Sequence, residues 1–221
     1  MAAFIDLGTV SAEYSVAAER IIFETCTEDT LIVYSRDSDT ISAGRFQNIE
    51  SCVTEQAFKD NVKIVRRMSG GSCIFSSNRQ ITYSVILLRE IDRGSSFKTI
   101  CNGLVSALRE LGIEGRYKEP NDVLVNGMKI SGSAQYRKAG RMIQHGTVIL
   151  ENDQNSIDRY LVKKDISVRT TSVKDVIGRV PERNELVNAL IKGFSGILGN
   201  IEKRAVNEET ERKITSSLSG P

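Results

Sequence analysis

Asn126-Gly127 stands between two β-type runs in "DVLVNGMKIS" (122–131), the favoured two-residue turn of a β-hairpin. A second hairpin signal follows in "AQYRKAGRMIQHGTVIL" (134–150), turning at Lys138 to Gly140. Earlier, "LIVYS" and "TISAGRF" flank the turn-formers Arg36 to Asp39, and "SCIF" and "ITYSVILL" flank Ser76 to Arg79. Hairpins, not strand-helix-strand alternation, therefore dominate residues 31–150. That predicts an α+β fold with a mixed, largely antiparallel sheet and helices laid on it.

The helical signals fit this frame. Ser11 caps a stretch with Tyr14, Ala17, Ala18, Ile21 and Ile22 at helical spacing. A short helix is predicted over Glu55 to Asp60, leading into "VKIVRRM". A long one is predicted over about Ser96 to Leu111, with Gly112 as its stop. From about residue 154 the pattern is mostly helical, most clearly over Glu182 to Leu198. No repeat or Pro-rich linker divides the 221 residues, so a single domain is expected.

Net charge of +2 gives no electrostatic footprint for nucleic acid. Apolar runs such as Val85 to Leu88 are far too short to span a bilayer. The segment "MAAFIDLGTV" lacks a secretion signal, so a cytoplasmic location is expected. Cys26, Cys52, Cys73 and Cys101 show no CxxC pair and no metal-ligand spacing. All four are expected to be free thiols in the core.

Three stretches carry chemistry. In "IVRRMSGGSCIFS" (64–76), Gly70 and Gly71 let backbone approach a ligand, and exposed N–H groups there hold an anion. Arg67 adds a clamp for phosphate. An ordinary strand end with solvated arginines fits the same residues. In "EPNDVLVNGMKISGSAQ" (119–135), Asn121 and Asp122 can bond local backbone, accept from ribose or meet Mg²⁺. Lys129, between Met128 and Ile130, faces away from both. Ser131, Gly132, Ser133 and Ala134 leave room beside it, although a surface lysine on a small-residue edge strand reads the same way. In "IQHGTVIL" His145, the sole histidine, has no partner for a metal site, and a structural role is the plainer reading. Neither the strand-GxxxxGK-helix loop nor GxGxxG is present.

The order "RRMSGG", "PNDVLVNGMKISGSAQ", "HGTVIL" resembles the lipoate–protein ligase family, which is related to the biotin ligases. "ISAGRFQN" (41–48) and "NALIKGFSGILG" (188–199) extend the resemblance from about residue 4 to the end. "GSAQ" after the lysine resembles lipoate ligases, not the aliphatic ending of biotin ligases. The chain departs from the pattern where the usual third glycine is Ser72, the usual alanine is Cys73, and an HDxGN-type turn reads "SSNRQ".

The resemblance implies the biotin/lipoate ligase (class II synthetase-like) catalytic fold and a reaction. Lipoate would be activated by ATP and Mg²⁺ to lipoyl-adenylate. The lipoyl group would then pass to a lysine of a carrier, a glycine cleavage H protein or a 2-oxoacid dehydrogenase acyltransferase subunit. Arg67, Ser72, Cys73, Ile74 and Phe75 would meet the nucleotide, with Asn121 and Asp122 near adenosine and metal. Arg67, Gly70, Gly71, Ser131, Gly132 and His145 would shape the lipoyl pocket. Lys129 would bridge the lipoyl carbonyl and α-phosphate.

The family's accessory domain is not expected within this chain, which suggests a separate accessory subunit. Without it, "SSNRQ" and "VRTTSVKD" (168–175) are expected to be mobile. Two alternatives stand beside this: an octanoyl or lipoyl transferase working without ATP, whose expected nucleophilic cysteines are missing here, and a non-catalytic lipoate-binding paralogue.

Overall fold

The computed structural model describes residues 1–162 and 169–218. The strands are β1 (Ala2–Val10), β2 (Asp29–Arg36), β3 (Thr40–Ala43), β4 (Lys63–Arg66), β5 (Ile74–Ser76), β6 (Gln80–Leu87), β7 (Arg116–Lys118), β8 (Asp122–Val125), β9 (Met128–Lys138), β10 (Arg141–Ile149) and β11 (Ile201–Lys203). The helices are α1 (Ala12–Thr25), α2 (Glu55–Lys59), α3 (Ser96–Glu110), α4 (Gln154–Tyr160), α5 (Val173–Ile177), α6 (Arg183–Leu198) and α7 (Glu208–Leu218).

Eight strands form the main sheet in the order β11-β1-β2-β6-β10-β9-β8-β7. Only β11–β1 and β1–β2 pair in parallel; the other pairs are antiparallel. The largely antiparallel sheet expected from the hairpins is present. Both turns have the left-handed backbone of a two-residue hairpin loop: φ is 50° at Asn126 and 81° at Gly127, residues that favour it, then 50° at Ala139, which does not, and 74° at Gly140. Strand β1 went unread in the sequence, because its parallel partner β2 lies across α1 and leaves no local turn signal.

Alternation assigns the two faces of this sheet. Leu31, Val33, Ile81, Val85 and Leu87 pack against Ile100, Leu104, Leu186, Leu190 and Phe194 of α3 and α6. The opposite residues Ile32, Tyr34, Ile86 and Ile143 pack against Ala18, Ile21, Ile22 and Phe23 of α1. Buried on both faces, β2 reads as a continuous apolar run. Close approach of α3 and α6 needs glycine: a Cβ on Gly193 would strike the α3 backbone at Gly103 and Ala107.

A second sheet, β4-β3-β5, carries its own small cluster, including Ile41, Val53, Ala57 and Phe75. Here the cysteine expectation is corrected. Cys26 and Cys101 are free, but Cys52 and Cys73 form a disulfide across 21 positions. Sequence spacing could not show it, because only the pairing of β3 with β5 brings the two segments together. Among the described residues, no helix is long and apolar enough to cross a membrane.

Candidate active site

A cavity of about 490 Å³ lies between the main sheet and the small one. Its floor is one row across the main sheet. Tyr34 of β2 is opposite Thr82 of β6, Thr82 opposite Thr147 of β10, Thr147 opposite Gly132 of β9, and Gly132 opposite Asp122 of β8. All five line the cavity. From Tyr34 to Gly132 the row crosses three strand spacings, about 14 Å in all.

Lys129 reaches this cavity through a bulge. Val123 pairs with Ser131 and Leu124 with Lys129, which leaves Ile130 as the extra residue. Strict alternation from Gly132 would aim Ile130 at the cavity and Lys129 at the helices. The bulge reverses both. Ile130 is fully buried in the α3/α6 core, and Lys129 lines the cavity. Its Nζ lies 2.7 Å from Asp122 Oδ1. Its backbone N–H donates to Arg169 O, and its carbonyl accepts from Thr171 N, both at 2.9 Å. A Cβ on Gly132 would sit 2.7 Å from Lys129 Cε and Nζ, so glycine makes the room that the lysine occupies.

The glycine turn forms the opposite wall. Gly71 (φ 92°), Ser72, Cys73, Ile74 and Phe75 line the cavity. Arg67 also lines it, and four of its five guanidinium N–H donors go to the protein. Nη1 donates to Ser42 O at 2.6 Å, Nη2 to Gly70 O and Ser72 O at 2.7 Å each, and Nε to Ser69 Oγ at 3.1 Å. Burial pushes its pKa down to about 10, which leaves it charged at neutral pH. Arg67 is thus the brace that folds the Gly70–Ser72 turn. Gly70 contributes that braced carbonyl. Gly44 packs under the turn, where a Cβ would strike the Gly71 carbonyl.

His145 lines the cavity beside the row that contains Thr147. Its Nε2 lies 2.6 Å from Ser69 Oγ and its Nδ1 3.0 Å from Glu19 Oε2. Glu19 also accepts from Ser84 Oγ. Burial pushes the Glu19 pKa up. The His145 imidazole, its hydrogen bond, Ser84 and Arg36 outweigh that and hold the carboxyl below its ordinary value of 4.5.

The remaining expected residues divide by face. Asn121 and Asp122 line the cavity, and Asn121 Nδ2 donates to the Ser133 carbonyl. Ser131 does not line it: paired with Val148 and Val123, it shares their α3/α6 side. The "SSNRQ" turn, expected to be mobile, meets Asp153 at two places. Ser77 Oγ donates to Asp153 Oδ2 at 2.6 Å, and Arg79 Nε lies 2.7 Å from Asp153 Oδ1. In "VRTTSVKD", Ser172 and Asp175 form a capping box on α5, while Val168 lies outside the described residues. Glu19, Tyr34, Thr82 and Ser69 were not read as site residues. Polar Thr82 and Ser84 within the fully buried β6 were the available signal.

The sequence model of the "Lipoyl protein ligase A/B catalytic domain" family matches residues 11–195. Lipoate-protein ligase A of Psychrobacter cryohalolentis is 32% identical over 195 residues, covering 82% of this chain and 56% of that protein. Octanoyltransferase LipM of Kyrpidia tusciae is 26% identical over 234 residues, covering 87% and 85%. A crystal structure of lipoate-protein ligase A bound with ATP superposes with a TM-score of 0.89 at 23% identity, covering 99% of this chain and 94% of that one. The bi-partite lipoate protein ligase of Thermoplasma acidophilum, described with its E2 lipoyl domain, gives 0.88 at 24% identity, covering 99% and 92%. The chain spans about half the length of the lipoate-protein ligases it matches in sequence.

Proposed function

Because the chain belongs to the lipoyl protein ligase A/B catalytic-domain family, we propose that it activates lipoate with ATP and transfers the lipoyl group to a carrier lysine. The observation that supports this most is the bulge that turns Lys129 into the cavity, facing the Ser72–Phe75 wall. In the first step a lipoate carboxylate oxygen attacks the α-phosphorus and pyrophosphate leaves. In the second, the carrier's lysine amine attacks the acyl carbonyl and AMP leaves.

Each step develops negative charge next to the acyl carbonyl or α-phosphate, and Lys129 is the cation placed to stabilise it. Asp122 holds its ammonium beside Gly132. Arg67 keeps the Ser72–Phe75 backbone in place to meet phosphates. The Tyr34–Thr82–Thr147–Gly132 row gives an extended acyl chain a floor that leads away from Lys129.

Among the described residues no group of three or more His, Cys, Asp and Glu could hold a metal ion. Mg²⁺ carried in on nucleotide phosphates needs only one or two carboxylates, and Asp122 beside Lys129 fits that requirement. Its chemistry there would be to neutralise phosphate charge. The partner that follows from this reading is a lipoyl carrier domain, of the kind described with the bi-partite ligase, with an accessory ligase polypeptide as a second candidate.

The rival reading is acyl transfer without ATP through a cysteine thioester. Against it, the two cysteines that line the cavity are joined to each other. Burial raises the pKa of Cys26 and of Cys101. Pyrophosphate release assayed in parallel with lipoate, octanoate and biotin, with and without a lipoyl domain and accessory protein, tests the proposal. Release that depends on lipoate supports it; none under any condition, with acyl transfer persisting, supports the transferase.

A further inference from the structure

The proposed chemistry makes no use of the Cys52–Cys73 disulfide, yet both of its halves line the cavity. It lies where three parts of the wall meet. On one side Arg67 Nη2 holds the Ser72 carbonyl, and β5 begins at the residue after Cys73. On the other, the Cys52 carbonyl accepts from Val162 N at 3.0 Å, and Val53 bridges Leu161. The apolar cluster around the sulfurs is small, with Ile41, Ala43, Val53, Ala57 and Phe75 as its other buried members. A cluster of that size takes much of its order from a covalent link.

Both cysteines are nearly buried, and both line the cavity. Cys52 is 6% and Cys73 9% exposed, so a protein thiol has little surface to attack. A small thiol that enters the cavity comes beside both residues.

We propose that Cys52–Cys73 is a reversible redox site. Oxidised, it holds the Ser72–Phe75 wall ready for an acyl-adenylate; opened by a small dithiol, it loosens that wall and weakens adenylate binding. The second half rests on the adenylate reading above, and the first does not. In the reaction, one reductant thiolate attacks a cysteine sulfur and the other cysteine leaves as thiolate. The second reductant thiol then displaces the first cysteine. Two electrons pass to the protein, two protons end on Cys52 and Cys73, and the reductant leaves as a cyclic disulfide. Oxidised glutathione reverses the exchange.

The test starts from full-length protein treated with dithiothreitol or with oxidised glutathione, then freed of either. Alkylation under denaturing conditions should mark Cys26 and Cys101 alone in the oxidised form, and all four cysteines in the reduced form. Octanoyl-adenylate, whose acyl chain carries no disulfide, is then titrated by calorimetry into both forms. The reduced form should bind it about tenfold more weakly, the scale of one or two side chains losing preorganisation.

Cys52→Ser and Cys73→Ala, checked for folding by thermal melting, should match the reduced form after either treatment. Four alkylated cysteines under both treatments would overturn the redox site. Equal affinity of the oxidised and reduced forms would overturn its control of binding. Failure of both forms to bind adenylate would remove that control together with the adenylate reading, while the alkylation pattern would still decide the redox site.

Discussion

His145 Nδ1 lies 3.0 Å from Glu19 Oε2, and this contact joins α1 to the sheet in the wall of the cavity. Through Ser69, 2.6 Å from His145 Nε2, the chain of polar groups continues to Arg67 and the glycine turn. Glu19 is therefore a positioning residue for that turn. Glu19→Gln keeps the shape and removes the charge, so it should cost about 1–3 kcal/mol of stability at neutral pH.

The same carboxyl sets an acid limit. Its folded pKa lies below the ordinary value of 4.5. Its stabilisation is therefore complete above 4.5 and is lost as pH falls from there through the folded value. Thermal melting followed between pH 7 and 3 should show wild type losing stability at the acid end, with Glu19→Gln losing less. Parallel acid profiles for the two proteins would remove Glu19 from the account.

Gly132 separates activity from stability. In Gly132→Ala the new methyl meets the end of the flexible Lys129 side chain, not backbone. The fold should survive with its melting temperature little changed. Acyl-adenylate formation should fall about 100-fold, the scale of a reacting group displaced by an ångström. A variant with normal rates would show that Lys129 does not act from its observed place.

Lys129→Ala removes the charge itself. Loss of about 100- to 1,000-fold in adenylate formation is expected, with secondary structure unchanged by circular dichroism. A near wild-type rate would detach the site from the family's chemistry.

No cysteine should carry acyl groups. Replacing all four by Ser or Ala should leave transfer from saturating adenylate measurable, and no acyl thioester should appear on the wild-type chain by mass spectrometry. An octanoyl thioester on Cys73 would favour the transferase.

Much of this was legible because the signals were local. Asn126-Gly127 and Lys138 to Gly140 named their own turns, and these hairpins lay β8 beside β9 and β9 beside β10. Met128 and Ile130 correctly placed Lys129 on the other face. Which of Ser131 and Gly132 shares the face of Lys129 was not legible, because the bulge at Ile130 shifts the register there. Pairings far apart in sequence left no mark: β1 with β2, Cys52 with Cys73, Glu19 with His145. Arg67 shows a different limit. Its residue type fits either a phosphate clamp or a backbone brace, and only the carbonyls around it distinguish the two.

The most direct test of the central claim supplies lipoyl-adenylate to the purified chain together with a lipoyl carrier domain. The intact mass of the carrier is then followed. Wild type should place one lipoyl group on one carrier lysine, and Lys129→Ala should do so far more slowly. A carrier left unmodified by wild type, or modified equally fast by Lys129→Ala, would contradict that claim.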